Sequence, residues 1–74
     1  MKLIESQKYI SLKIKLYVVN KDIEITVVYR NTGQTHIAMY NRGHYLCEWT
    51  KETRPTLAEL KKEVLHEASF YLEV

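Results

Sequence analysis

The side chains best suited to acid–base or nucleophilic chemistry are a single cysteine, Cys47, and the histidines His36 and His44. A thiol beside an imidazole forms an activated nucleophile, and histidine titrates near neutral pH. His36 and Glu48 are a second candidate pair. Whether either pair forms depends on the strands that carry these residues, because neighbouring residues on a strand point to opposite faces of a sheet.

Other recognisable chemical sites lack support in the sequence. His36, His44 and His66 are not spaced i, i+4, and one cysteine cannot form a cysteine-rich metal centre or an internal disulfide. Gly33 and Gly43 each end a short turn and do not form a phosphate-binding loop. We therefore expect no metal and no small-molecule cofactor, and the absence of a disulfide favours a reducing, cytoplasmic location.

Length and charge limit the class of protein further. The chain has 74 residues, which predicts one domain over residues 1–74. No apolar run is longer than the four residues at 16–19, which is too short to span a membrane, so no membrane partner is expected. Residues 1–51 contain eight basic and four acidic side chains, and residues 52–74 contain three and five, which together give the net charge of +2. The excess of positive charge therefore lies in the first part of the chain.

A period of two residues predicts that this first part forms strands. Apolar residues occupy even positions from Ile10 to Val18 and odd positions from Ile23 to Tyr29. Two shorter strands follow, and a turn that begins with asparagine lies at each break: Asn20, Asn31 and Asn41. The predicted strands are at about residues 9–19, 23–30, 34–41 and 44–49. Residues 1–8 are not assigned: Leu3 and Ile4 could form a short extra strand or cover part of the face opposite the helix.

The last part of the chain predicts one helix. Thr56 and Glu59 form a capping-box pattern, and an apolar stripe at steps of three and four residues follows from Leu57. We expect the helix at about residues 57–69, because residues 70–74 have a strand-like composition. The predicted fold is α+β: a four-stranded antiparallel β-meander with a C-terminal α-helix packed on one face, in the order ββββα.

The turns also predict which strand residues share a face. The predicted end pairs are Asn20 with Ile23, Arg30 with Gln34, and Tyr40 with His44. This register continues one apolar face across all strands and places Cys47 beneath the helix, with His36 and His44 on the opposite face. The thiol–imidazole pair is thereby excluded, and His36 with Glu48 is interpreted as a cross-strand ion pair. We therefore expect no enzymatic activity.

The face opposite the helix carries the functional prediction. In the predicted register Lys13 lies opposite Arg30, and apolar and aromatic side chains occupy the other rows. A basic end could contact phosphates while Tyr17, Tyr40 and His36 contact bases, which favours nucleic acid, DNA or RNA, as the partner. The residues predicted to bind the partner are Lys13, Lys15, Tyr17, Arg30, His36, Tyr40, Arg42 and Leu46.

A protein partner is the alternative hypothesis. Six tyrosines and one tryptophan suit a protein interface, and the open sheet face or a sheet edge could form a homodimer. Small inhibitors and regulators carried by phages and mobile elements share this size and this lack of motifs. Glu24 and Glu48 on the same face weaken the nucleic-acid interpretation. A face that is merely half exposed to solvent would need no partner.

Overall fold

The structure, a computed structural model, describes residues 1–71 as a five-stranded sheet followed by one helix. The sheet is an antiparallel meander in which the strands lie in chain order. The elements are β1 (Lys2–Lys8), β2 (Leu12–Val18), β3 (Ile23–Arg30), β4 (Thr35–Asn41), β5 (His44–Lys51) and α1 (Leu57–Tyr71). The α+β class, the antiparallel meander and the C-terminal helix are as predicted, and the sheet has one strand more.

The additional strand is β1, at the edge of the sheet. It pairs antiparallel with β2, and its pairing shifts by a β-bulge between Leu3 and Glu5. Every residue of β1 is exposed. An edge strand with no buried face needs no apolar alternation, so its sequence, KLIESQK, does not show the period that identifies the other strands.

The register between β2 and β3 differs by one residue from the predicted one. Lys13 lies opposite Tyr29, and Tyr17 lies opposite Ile25. The cause is the turn between the strands, where the Asn20 side chain accepts hydrogen bonds from the backbone N–H groups of Asp22 and Ile23, at 2.9 and 3.0 Å. Such an Asx turn lengthens the connection, and a shift of one residue turns the whole of β2 over.

The register between β3 and β4 is as predicted. Tyr29 lies opposite Thr35, as expected from the turn that ends at Gly33, whose φ of 94° suits glycine. Between β4 and β5 the pairing moves by two residues, so that Ile37 lies opposite Trp49, and a bulge follows Met39. Because the shift is even, Cys47 and Trp49 remain on the side of the helix. The bulge places His44 opposite Asn41, on the side of the helix, so the predicted position of His44 on the open face is wrong.

The helix covers the face that carries the odd-numbered residues of β2 to β4. Leu60, Val64 and Ala68 pack against strand residues that include Ile25 and Ile37. At the start of α1, the Glu59 N–H donates to Thr56 Oγ1 at 3.2 Å, and the Thr56 hydroxyl donates to the Glu59 carboxylate at 3.0 Å. This is the predicted capping box.

The helix extends beyond the predicted end. Phe70 and Tyr71, predicted to be strand-like, are its last residues, and residues 72–74 of the predicted tail lie outside the described residues. Lys51 Nζ lies 2.6 Å from Glu63 Oε2 and joins the end of β5 to the helix. Within residues 1–71, no helix has the length and apolar character needed to cross a membrane.

Candidate polyanion-binding groove

The turned-over β2 moves its lysines from the open face to the side of the helix. Lys13 and Lys15 lie beside Tyr29 and Val27, which belong to the covered face. The prediction that both lysines lie on the open face is therefore wrong. Both remain partly exposed, beside the start of the helix.

Other basic residues join these lysines at one end of the sheet. A cleft of about 390 Å³ is lined by cations from four segments: Lys8 of β1, Lys13 of β2, Arg30 of β3 and Arg54 before the helix. A second depression of about 320 Å³ shares Lys13 and Arg54 with the first and adds Lys15 and the start of α1. We call the two together the basic groove, with Lys8, Lys13, Lys15, Arg30 and Arg54 as its cations.

Tyr29 forms part of the wall that the two depressions share. The Arg54 guanidinium lies 4.3 Å from the centre of its ring, and Lys15 Nζ lies 5.9 Å from it. These are cation–π distances, so the ring holds both cations over the groove. Burial, followed by the neighbouring Tyr17 side chain, raises the pKa of Tyr29 to about 12 against an opposing effect of Arg54. The phenol is therefore neutral at physiological pH and compensates none of the positive charge.

The cations of the basic groove have no acidic partner in residues 1–71. The ion pairs within this range join His36 to Glu48, Arg42 to Asp22 and Lys51 to Glu63. No aspartate or glutamate of the described residues lines either depression. Lys8 and Lys13 are moreover directly opposite each other across β1 and β2, an arrangement of like charges that disfavours the sheet.

The inner wall of the larger cleft carries a polar group without a partner. Thr35 is fully buried, and its Oγ1 makes no hydrogen bond with any of the described residues. On the outer side, Asn31 donates from its side chain to the Ile10 carbonyl at 3.1 Å and from its backbone to the Ser11 carbonyl at 3.2 Å. These bonds hold the β3–β4 turn against the β1–β2 turn, so the cleft has a fixed edge.

The β1–β2 turn presents apolar groups to solvent beside these cations. Tyr9 is 53% exposed and Ile10 is fully exposed, and both line the larger cleft. Sequence reasoning missed Lys8, Tyr9, Thr35 and Arg54 as candidate residues. Lys8 and Tyr9 could not be linked to the site without β1, which the sequence does not predict. Arg54 could have been found from its position just before the helix cap, which brings it to the start of the helix.

Two other residues of the predicted site belong to the interior. Tyr17 is only 4% exposed and is part of the core, so its predicted position on the open face is wrong. Leu46 packs against the core as the unpaired residue of the β5 bulge, and its predicted place opposite Ala38 is taken by Glu48. The Tyr17 side chain is therefore not accessible to a partner, whereas Leu46 remains partly exposed.

The remaining predicted residues lie apart from the basic groove. Arg42 is in the β4–β5 turn, and its Nε lies 2.8 Å from Asp22 Oδ1. His36 remains on the open face, with its ring nitrogens 2.7 Å from Glu48 Oε2 and 3.0 Å from Thr50 Oγ1. Tyr40 packs edge-on against Tyr45, with ring centroids 6.0 Å apart. Of the predicted site, only Lys13, Lys15 and Arg30 come together.

The open face, on the side away from the helix, is mainly apolar at its centre. Its cross-strand rows are Gln7–Ile14–Val28–His36–Thr50 and Glu5–Leu16–Thr26–Ala38–Glu48. The apolar side chains of these rows are partly buried by their neighbours, and polar groups lie at both edges. With Lys13 and Lys15 on the other side, the predicted basic end of this face keeps only Arg30, which lies opposite Leu12.

Cys47 is separated from the histidine of the open face. It packs against the core on the helix side, whereas His36 lies on the opposite face. Burial raises the pKa of the Cys47 thiol, so the thiol stays protonated at neutral pH. A protonated, partly buried thiol without an imidazole is a poor nucleophile.

Fold and groove together define a small α+β protein with five of its eleven lysines and arginines at one end of an antiparallel sheet. Comparison of the chain with protein-family models, curated proteins and solved structures gives no match.

Proposed function

We propose that this protein is a small nucleic-acid-binding module that holds the phosphate backbone in the basic groove. The observation that carries the proposal is the convergence of Lys8, Lys13, Lys15, Arg30 and Arg54 with no acidic partner in residues 1–71. Nucleic-acid phosphates supply the missing negative charge at a spacing that several cations of one groove can contact together.

The energetics of the sheet favour the same function. The pairing of Lys8 with Lys13 opposes folding, and a bound anion between them would relieve the repulsion. A surface that is tuned for stability alone would place a carboxylate at one of these positions. Retaining two lysines is the kind of local cost that binding sites carry.

The groove suits contacts to the backbone more than contacts to bases. Tyr17 and Tyr29 are buried, so neither ring can stack on a base. Tyr9 is the exposed aromatic side chain of the groove. Phosphate contacts carry no sequence information, so we propose binding with weak sequence preference and strong dependence on salt.

We also propose that the protein binds nucleic acid without catalysing a reaction. His36 is held by Glu48 and Thr50 on the other face, and Cys47 is held in a protonated state by burial. Neither side chain lies near the groove. A cytoplasmic location suits a protein whose one thiol has no disulfide partner.

The proposal is tested by reversing the charge of two groove lysines. We expect Lys13→Glu combined with Lys15→Glu to weaken binding of a short labelled oligonucleotide at least about tenfold at low salt, because two phosphate contacts are replaced by repulsion. Fluorescence anisotropy with single-stranded and duplex oligonucleotides measures the affinity over a salt series. Circular dichroism checks that the variant is folded.

A matched control separates the groove from net charge. Lys61 and Lys62 are exposed on the helix, and replacing both with glutamate changes the charge by the same amount. We expect this control, and Arg42→Gln, to bind nearly as well as the unchanged protein. Equal losses in the groove variant and in the Lys61/Lys62 control, or no binding by the unchanged protein at low salt, would contradict the proposal.

A protein partner on the open face is the second candidate function. The observation that favours it is the continuous apolar strip of Ile14, Leu16, Val18 and Val28, which no part of residues 1–71 covers. A homodimer through this face should weaken with Leu16→Asn, a change that sedimentation equilibrium detects. A protein that stays monomeric at every concentration removes the homodimer.

A further inference from the structure

The larger cleft of the basic groove contains one hydroxyl group whose position is not explained by binding of a phosphate backbone. Thr35 lines the cleft and is fully buried, and Oγ1 has no hydrogen-bond partner among residues 1–71. An unpaired buried hydroxyl costs folding free energy, whereas a valine would fill the same space at no such cost. A bound ligand that accepts a hydrogen bond from Oγ1 accounts for the threonine.

The charge around Thr35 specifies the kind of acceptor. Lys8, Lys13, Arg30 and Arg54 line the same cleft, and its volume of about 390 Å³ lies in the range of small-ligand sites. An internal phosphodiester carries one negative charge. A phosphomonoester carries close to two at neutral pH and has three terminal oxygens, which suits four cations and a hydroxyl better.

We propose that the cleft binds the terminal phosphate of a nucleic-acid strand, with Thr35 Oγ1 donating a hydrogen bond to a phosphate oxygen. This inference rests on the proposed function and names the part of the nucleic acid that the cleft recognises. The smaller depression, with Lys15 and the start of α1, then takes the adjoining backbone. Tyr9, exposed at the rim, is placed to contact the terminal nucleoside.

The test compares oligonucleotides that differ only at their ends. One sequence is prepared with a 5′-phosphate, with a 3′-phosphate, or with hydroxyls at both ends, and the affinity of each is measured by anisotropy. We expect one phosphorylated form to bind roughly tenfold more tightly than the hydroxyl form, as a charge-assisted hydrogen bond and paired cations allow. A hydroxyl-ended oligonucleotide that is two nucleotides longer has two more phosphodiester charges and controls for the added charge.

Thr35 variants provide the specific readout. We expect Thr35→Val to lose most of the preference for the phosphorylated end, measured as the ratio of the affinities for the phosphorylated and hydroxyl-ended oligonucleotides. Thr35→Ser, which keeps the hydroxyl, should retain the preference. Thr35→Val removes an unpaired buried hydroxyl, so its urea midpoint should equal or exceed that of the unchanged protein, and a loss of preference is then not a loss of fold.

The outcomes separate this inference from the proposed function. Equal affinity for phosphorylated and hydroxyl ends overturns the inference and leaves backbone binding intact. A preference that survives in Thr35→Val overturns the assignment of Thr35. Adenosine monophosphate that binds as tightly as the phosphorylated oligonucleotide assigns the cleft to free nucleotides and overturns recognition of a strand end. Absence of all oligonucleotide binding at low salt contradicts the proposed function itself.

Discussion

The basic groove and the open face begin at adjacent residues of one strand and differ in how their charges are used. Lys13 points into the groove, and Ile14 points to the open face. In the groove, cations from four segments converge without an acidic partner in the described residues. On the open face, the histidine is already bonded to Glu48. The difference shows that charge alone does not identify a binding surface, because charges already paired have less to offer a ligand.

The comparison also shows how strongly the composition of each sheet face depends on register. With β2 in the predicted register, the lysines would have joined His36 and Tyr40 on one mixed surface. With the observed register, Lys13 and Lys15 lie on the face of the sheet opposite the apolar strip. A single extra residue in the turn at Asn20 makes that difference.

The largest expected effect is on the free energy of unfolding, and it is tested by replacing one isoleucine on each face of the sheet. Ile25 is fully buried under the helix, and Ile14 is partly exposed on the open face. We expect Ile25→Ala to lower the free energy of unfolding by about 2–5 kcal/mol, because it opens a cavity in the core. Ile14→Ala should cost only about 1 kcal/mol. Urea denaturation measures both values.

The outcome for Ile14 decides whether the open face is covered in solution. A loss as large as that of Ile25→Ala, together with a midpoint that rises with protein concentration, would show that a second copy covers this face. The distinction between an open and a covered face would then be wrong. A small loss that is independent of concentration supports it.

A smaller effect is expected at high pH from the tyrosine in the wall of the groove. The pKa of Tyr29 is raised to about 12 by burial, from the ordinary value of 10.0. Between these values the unfolded chain loses the phenol proton and the folded chain keeps it, so unfolding becomes easier as the pH rises. The urea midpoint should therefore fall on raising the pH from 10 through 12. The urea midpoint of Tyr29→Phe should fall less over the same pH range. An equal fall of the midpoint in both proteins would contradict burial of the phenol.

Those elements whose residues alternate between core and solvent could be predicted from the sequence. Ile23 to Tyr29 show the period of a half-buried strand, and Thr56 with Glu59 marks the helix start, where the structure has both hydrogen bonds of the box. Strand β1 could not be predicted in this way because no face of it is buried. Its pairing with β2 is made by backbone groups, which any sequence provides.

The candidate site was only partly predictable because it depends on register and on chain segments far apart. The alternation of Lys13 and Lys15 shows that they share a face, but it does not show which face. The side chain of Asn20 decides that through hydrogen bonds with the turn, a detail that composition does not specify. Arg54 reaches the groove only because the helix packs back over the sheet, a tertiary contact that no local pattern encodes.

The most direct test of the central claim is to map the surface that nucleic acid contacts. In a titration of the ¹⁵N-labelled protein with a phosphorylated oligonucleotide at low salt, we predict that the largest amide shifts occur at Lys8, Lys13, Lys15, Arg30, Asn31 and Arg54. The amides of Glu24, Ala38 and Arg42 should move least. The account would be contradicted if the largest amide shifts occurred on the open face, around Leu16, Thr26 and Ala38, and the amides of the groove did not move.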